Sequence, residues 1–147
     1  MTTAQNVFEA AIAMMDEMND QGQADHSDTT EYKNRTLPIL NILRGELYPY
    51  SDSYESDDRG RPIAALITDF EVPIELDDYI CQSVMPYGLA AHLLMDENPT
   101  SANYFQQRYE ELKLGLRSGY PSQGSEDIVD VYGDRGGISP YQEFSRW

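Results

Sequence analysis

The chain is short of several things, and each shortage closes off a class of function. Its 147 residues include one cysteine, Cys81, which excludes an intrachain disulfide framework and any thiol-rich metal centre. Histidine occurs twice, at His26 and His92, so a histidine-built site has little to draw on. Lysine and arginine together number 10 against 26 acids, giving a net charge of −16. Binding to phosphate backbones or anionic membranes depends on Lys and Arg neutralising phosphates, and this balance disfavours both. An acidic surface suggests instead solubility, a basic partner, or a wall that DNA passes without sticking. Long hydrophobic runs are missing as well. The nearly apolar stretch from Val84 to Met95 is too short to span a bilayer and contains His92. The first residues lack a basic start followed by an apolar core, so neither a secretory signal nor membrane association is expected, and the chain reads as a soluble, cytoplasmic-type protein.

What is present is helical spacing. In the first helix Ala4, Val7, Ala11, Met14 and Met18 recur at steps of three and four, and Thr2 with Gln5 suggests a capping box. Residues 19–28 are polar and read as a loop, with Asp28 as N-cap of a second helix and Glu31 three residues on. The second stripe is Tyr32, Thr36, Ile39, Leu43 and Leu47, with a kink expected at Pro38. After a Pro-, Ser-, Asp- and Gly-containing loop from Tyr48 to Arg61, the alternation of Phe70, Val72 and Ile74 predicts a short β-arm or hairpin at about 62–75, confined to an edge by Pro73.

Asp77 is the expected cap of a third helix with the stripe Ile80, Val84, Tyr87, Ala91 and Leu94. Cys81, Met85, Leu89 and Leu93 widen that stripe until residues 80–94 are apolar nearly all round, as befits the centre of a bundle. Pro86 and Gly88 lie inside it, and helix breakers there are costly enough to imply a required packing geometry. Asn98 and Pro99 start a fourth helix carrying Ala102, Phe105, Tyr109, Leu112 and Leu116. The predicted core is therefore Ile80, Val84, Tyr87, Leu89, Ala91, Leu94, Phe105, Tyr109 and Leu112. The fold class is mainly α: a four-helix bundle over residues 1–117 with a short β-arm. Residues 118–147 lose helical periodicity but keep Tyr120, Tyr132, Tyr141, Phe144 and Trp147, which suits an extended tail ordered by partners. Tyr141, Phe144, Arg146 and Trp147 are its expected docking residues.

Catalytic chemistry finds little support. Cys81 and His92, eleven residues apart on one expected helix, are separated by about 16 Å of rise and cannot touch. His26 belongs to a polar loop. Asp52, Glu55, Asp57 and Asp58 cluster, yet Arg59 and Arg61 occupy the wrong places around Gly60 for an EF-hand loop; Asp127, Asp130 and Asp134 fail the same comparison. The stretch from Gly133 to Gly137 lacks the lysine of a phosphate loop. No catalytic residue, metal or cofactor is expected, and the chain reads as a non-enzyme.

Three stretches, Thr36 to Tyr50, Leu66 to Asp78, and Met85-Pro86-Tyr87-Gly88-Leu89-Ala90-Ala91-His92-Leu93-Leu94 with the helix from Phe105 to Leu112, resemble head–tail connector (adaptor) proteins of long-tailed bacteriophages and prophages. The resemblance covers roughly residues 29–116 and rests on hydrophobic spacing plus the Pro-Tyr-Gly-Leu-Ala-Ala phrase. It implies a structural protein of the virion neck, assembled in the bacterial cytoplasm. Such a subunit forms a dodecameric ring between the portal and a stopper or tail-completion protein, with packaged DNA passing through the channel unbound. The family supplies no catalytic residues. Two other readings fit a small acidic protein: a DNA mimic that inhibits a nucleic-acid-binding enzyme, and an assembly chaperone with a Met-rich groove around Met14, Met15 and Met18.

Overall fold

A computed structural model describes residues 1–119 apart from Ser53 and Ser56, with side chains as far as Leu116. The protein is mainly helical: α1 Ala4–Met14, α2 Thr30–Leu47, α3 Asp78–Ser83, α4 Met85–Leu93 and α5 Pro99–Gly119. Short 3-10 turns at Ser27–Thr29 and Tyr48–Tyr50 precede and follow α2.

Helix α1 is started by a capping box one residue later than expected. The Thr3 hydroxyl accepts from the Asn6 amide at 3.3 Å, and Asn6 Oδ1 accepts from the Thr3 amide at 3.0 Å. Thr2 is diverted instead to Asp78, whose Oδ1 accepts from both its amide and its hydroxyl at 2.7 and 2.8 Å. The buried face is Ala4, Val7, Phe8, Ala11 and Ile12. Asp16, at φ 59°, turns the chain out of the helix in the left-handed region.

Asp28 does not cap α2, because it sits inside the 3-10 turn; the residue before α2 is Thr29, whose hydroxyl donates to the Ala24 carbonyl at 2.6 Å. Leu40 and Arg44 join Tyr32, Thr36, Leu43 and Leu47 on the buried face, whereas Ile39 is half-buried. Pro38 lies on the solvent side of a helix that continues through it.

The single helix expected over residues 80–94 is two helices. Pro86 has no N–H to give and its ring crowds the carbonyl four residues back, so one continuous helix is disfavoured. The chain breaks at Val84 (φ −111°, ψ −51°), and Pro86 falls in the first turn of α4, where its missing donor costs nothing. Asp77 makes no cap bond to α3; its carboxylate accepts from Ser51 Oγ at 3.1 Å and from the Asp52 amide at 3.2 Å. Asn98 does cap α5, accepting from the Ser101 amide at 3.1 Å.

Helix α4 packs against every other helix. Tyr32 at the start of α2 bonds to Glu97 just before α5, and Tyr109 on α5 bonds to Glu46 near the end of α2. Helices α2 and α5 therefore run in the same direction. Helix α4 runs oppositely between them: its last-turn carbonyl at Leu93 accepts from Arg35 near the start of α2, while Gly88 lies against Leu43 further along. Gly88 is the point of closest approach. A Cβ there would stand 2.9 Å from Leu43 Cδ2 and 3.0 Å from Tyr109 Cδ2, so both neighbouring helices pack onto a bare backbone.

The expected β-arm is not formed as strands among the described residues. One antiparallel bridge joins Thr3 to Pro73, flanked by Ile74 N donating to the Thr2 carbonyl at 2.8 Å and Gln5 N donating to the Phe70 carbonyl at 3.1 Å. With Pro73 unable to donate and no second strand beside it among the described residues, the alternating segment lies along the start of α1 as an irregular strap. Ile67, Ile74 and Leu76 anchor it in the core. Asn41 holds it from α2: the Ile67 amide donates to Oδ1 at 2.8 Å and Nδ2 donates to the Ile67 carbonyl at 3.0 Å.

Candidate interaction surface

Of the predicted core residues, Ile80, Val84, Leu89, Ala91, Leu94, Phe105 and Tyr109 are buried, and Tyr87 and Leu112 are half-buried against them. The Tyr87 ring meets Phe105 at 6.3 Å between centroids, and the Arg108 guanidinium lies 5.8 Å from its centre. Tyr141, Phe144, Arg146 and Trp147 lie outside the described residues, as do Asp127, Asp130 and Asp134.

Cys81 and His92 fall on different helices, α3 and α4. Burial, helped by Asp78 and Asp77, pushes the Cys81 thiol up to about 12, so at neutral pH it is an uncharged packing group and a poor nucleophile. His26 is more engaged than a solvated loop residue: its Nε2 donates to the Glu17 carbonyl at 2.7 Å. In the acidic loop, Asp57 Oδ1 is taken up by the amides of Arg59 and Arg61 at 2.9 and 2.8 Å, while Gly60 supplies the turn's positive φ of 75°. Among the described residues, no group of three or more His, Cys, Asp or Glu side chains is arranged to hold a metal ion. Among them, too, no helix is long and apolar enough to cross a membrane.

Several cations of the described residues are engaged by groups of the chain itself. Arg44, only 3% exposed, reaches Glu75 at 3.2 Å and lies over the Tyr48 ring, while Arg35 closes the end of α4. Lys33 pairs with Asp25, and Lys113 lies 3.1 Å from Glu110 and 3.6 Å from Glu46. The two tyrosine hydroxyls bonded to Glu97 and Glu46 are raised well above their ordinary range, first by burial and then by the carboxylate each faces. They act as neutral donors that let one carboxylate sit beside the start of α2 and another near its end.

Acids are distributed unevenly. Among the described residues only Glu9, Glu31, Glu46, Asp78, Glu110 and Glu111 belong to α-helices; the other acids are in connecting segments. Two helical faces are consequently almost free of charge and exposed. On α2 and the turn after it, Asn34, Pro38, Ile42, Gly45 and Pro49 recur at steps of three and four. Ile42 is 60% exposed and Gly45 has open space where a Cβ would stand. On α5 the matching face is Thr100, Tyr104, Gln107, Glu111 and Leu114, and its one charge is paired with Arg108 at 2.7 Å. Tyr104 is 56% and Leu114 61% exposed. Leu66, 76% exposed, stands beside the α2 face because Asn41 pins the next residue there. The alternation of buried and exposed positions in these helices follows from their apolar spacing, and the lack of charge on the exposed positions is a property of the same sequence.

Near the Thr2–Asp78 clasp, an open cavity of about 400 Å³ is lined by Met1, Tyr48, Glu55, Ile63, Glu75 and Asp77 among others. Asp77 is already engaged by Ser51 and Asp52. The groove is a seam between strap and helices. Of the three methionines expected to form a groove, Met15 is buried and Met14 packs on the core, leaving Met18 exposed.

Comparison with known proteins returns no match: no family model, no curated protein and no solved structure is significantly similar to the chain.

Proposed function

We propose that the protein is a structural subunit of a bacteriophage virion, a head–tail connector that forms a ring of identical copies between portal and stopper or tail-completion protein. Packaged DNA would pass through its channel. In this reading α1, α2, the broken helix α3–α4 and α5 constitute a four-helix bundle. The observation that carries it is Gly88. There the Pro-Tyr-Gly-Leu-Ala-Ala phrase, the stretch from Thr36 to Tyr50 and the helix from Phe105 to Leu112 meet, through Leu43 and Tyr109. Residues that carry the resemblance are thus the residues on which the fold depends. The placement of acids suits a conduit for DNA, since carboxylates repel the phosphate backbone. The burial of Met15 removes support for a Met-rich chaperone groove, and acids gathered in connecting segments offer poor mimicry of regularly spaced phosphates.

The residues Tyr141, Phe144, Arg146 and Trp147 are the docking residues of this proposal, engaging the portal or a neighbouring copy. The test is deletion of residues 138–147 in a phage that produces the protein. Purified particles should contain the full-length chain and lose the truncated one, while the melting temperature of the isolated subunit stays within about 2 °C. Absence of the full-length chain from finished particles sinks the proposal.

A further inference from the structure

Two exposed helical faces carry almost no charge in a strongly acidic chain. At a net charge of −16, copies repel one another, and surfaces carrying unpaired carboxylates raise that cost on approach. The α2 face from Asn34 to Pro49 presents no charge, and the α5 face from Thr100 to Leu114 presents only Glu111, neutralised by its own Arg108. Each face spans roughly 21–23 Å at about 1.5 Å per residue, so they match in length. They differ in relief. The α2 face is notched at Gly45, with open space where a Cβ would stand, and carries one projecting apolar side chain, Ile42, between Pro38 and Pro49. The α5 face carries two projecting side chains, Tyr104 and Leu114.

From this geometry we infer that the α2 face of one copy docks on the α5 face of the next, a head-to-tail contact between second copies of this chain. The inference rests on the ring reading above and deepens it by naming the contact. Two different faces, one notched beside a single large side chain and one bearing two, make a heterologous contact, which is the kind that propagates around a ring; a self-complementary patch would stop at a dimer. The contact is small. A strip about 22 Å long and about 10 Å wide covers a few hundred Å² on each side, against the roughly 800 Å² per partner of a standard stable interface. Isolated copies therefore associate weakly, more strongly once salt screens their acids, and ring closure or a templating surface completes assembly.

The experiment uses the full-length chain with single substitutions, Ile42→Cys in one preparation and Tyr104→Cys or Leu114→Cys in another, mixed under oxidising conditions in about 1 M salt, where the screening length is about 3 Å. Cys81 is wholly buried and stays out of the reaction. The expected result is disulfides between the two species, several-fold above those within either species. Predominant Ile42→Cys self-pairing would mark a two-fold contact and overturn the inference. Multimers in sedimentation without cross-species disulfides would overturn the face assignment while leaving the ring reading intact. Single copies only, in purified particles as well as in solution, would overturn both. As a second reading, Ile42→Glu should weaken self-association at least about tenfold with unchanged melting, whereas Met18→Glu, exposed but on neither face, should not; equal effects would count against the contact.

Discussion

Helix α4 and the strap from Ser51 to Leu76 are built by opposite means. On α4, Met85, Pro86, Gly88, Leu89, Ala90, Ala91 and Leu93 are all buried. Along the strap, among the described residues, only Ser51, Ile67, Ile74 and Leu76 are buried. Helix α4 is held by continuous apolar packing, in which every methylene matters because interiors are close-packed. The strap is held at discrete points by polar clasps: Asn41 on Ile67, Arg44 on Glu75, and Asp77 on Ser51 and Asp52. Damage to the first should be global, and damage to the second local.

The sharpest way to break that contrast is to remove volume from α4. Leu89→Ala or Leu93→Ala should cost about 2–5 kcal/mol by denaturant unfolding, because both side chains are wholly buried. Adding volume is the next largest effect. Gly88→Ala places a methyl 2.9 Å from Leu43 and 3.0 Å from Tyr109, and should cost about 1–3 kcal/mol with the loss spread over α2, α4 and α5. Helix propensity alone would make that substitution stabilising, so the sign decides whether helix spacing or propensity governs.

Asn41→Ala tests the other side. It removes both bonds to Ile67 and should cost about 1–2 kcal/mol, with amide exchange faster at Ile67 and unchanged in α4. Protection lost throughout the helices would erase the distinction. The smallest effect concerns acid. Hydrogen bonds from the Thr2 hydroxyl and amide hold the Asp78 carboxyl below its ordinary value, against some burial. A carboxyl depressed in the folded state contributes stability that is present above its unfolded value of about 4 and is lost as pH falls through the folded value. Thr2→Ala should therefore flatten the decline that sets in as pH falls below about 4 while changing its slope near neutrality little, as read from unfolding midpoints.

The helices were legible because their apolar spacing is regular, and α5 was announced by Asn98 and Pro99. The strap was misread for a physical reason: alternation at Phe70, Val72 and Ile74 describes a chain with one wet side, which a strap lying on a helix also has. Pro86 was visible, yet its consequence, a break at Val84, depends on where the chain tolerates a lost donor. Polar residues near helix starts misled similarly. Thr2 and Asp77 look like caps, but distant partners, Asp78 for one and Ser51 for the other, claim them. Core burial follows from pattern, whereas side-chain clasps between segments far apart in sequence leave no local trace. The candidate contact faces were hidden differently, since they consist of what the exposed side of each helix lacks.

The fold's fastenings join residues far apart along the chain: Thr2 to Asp78 across 76 residues, Tyr32 to Glu97 across 65, and Glu46 to Tyr109 across 63. During synthesis at about 5–20 residues per second, α1 waits roughly 4–15 s before its clasp on α3 even exists. Through that interval Val7, Phe8 and Ile12 have no α4 to cover them. The segment that leaves the ribosome directly behind α1 carries Asp16, Glu17, Asp20, Asp25 and Asp28, with no lysine or arginine among positions 15–29. Nascent chains growing side by side on one message thus present like charge next to the uncovered α1, and that repulsion opposes contact between neighbours until each has made the residues it folds onto.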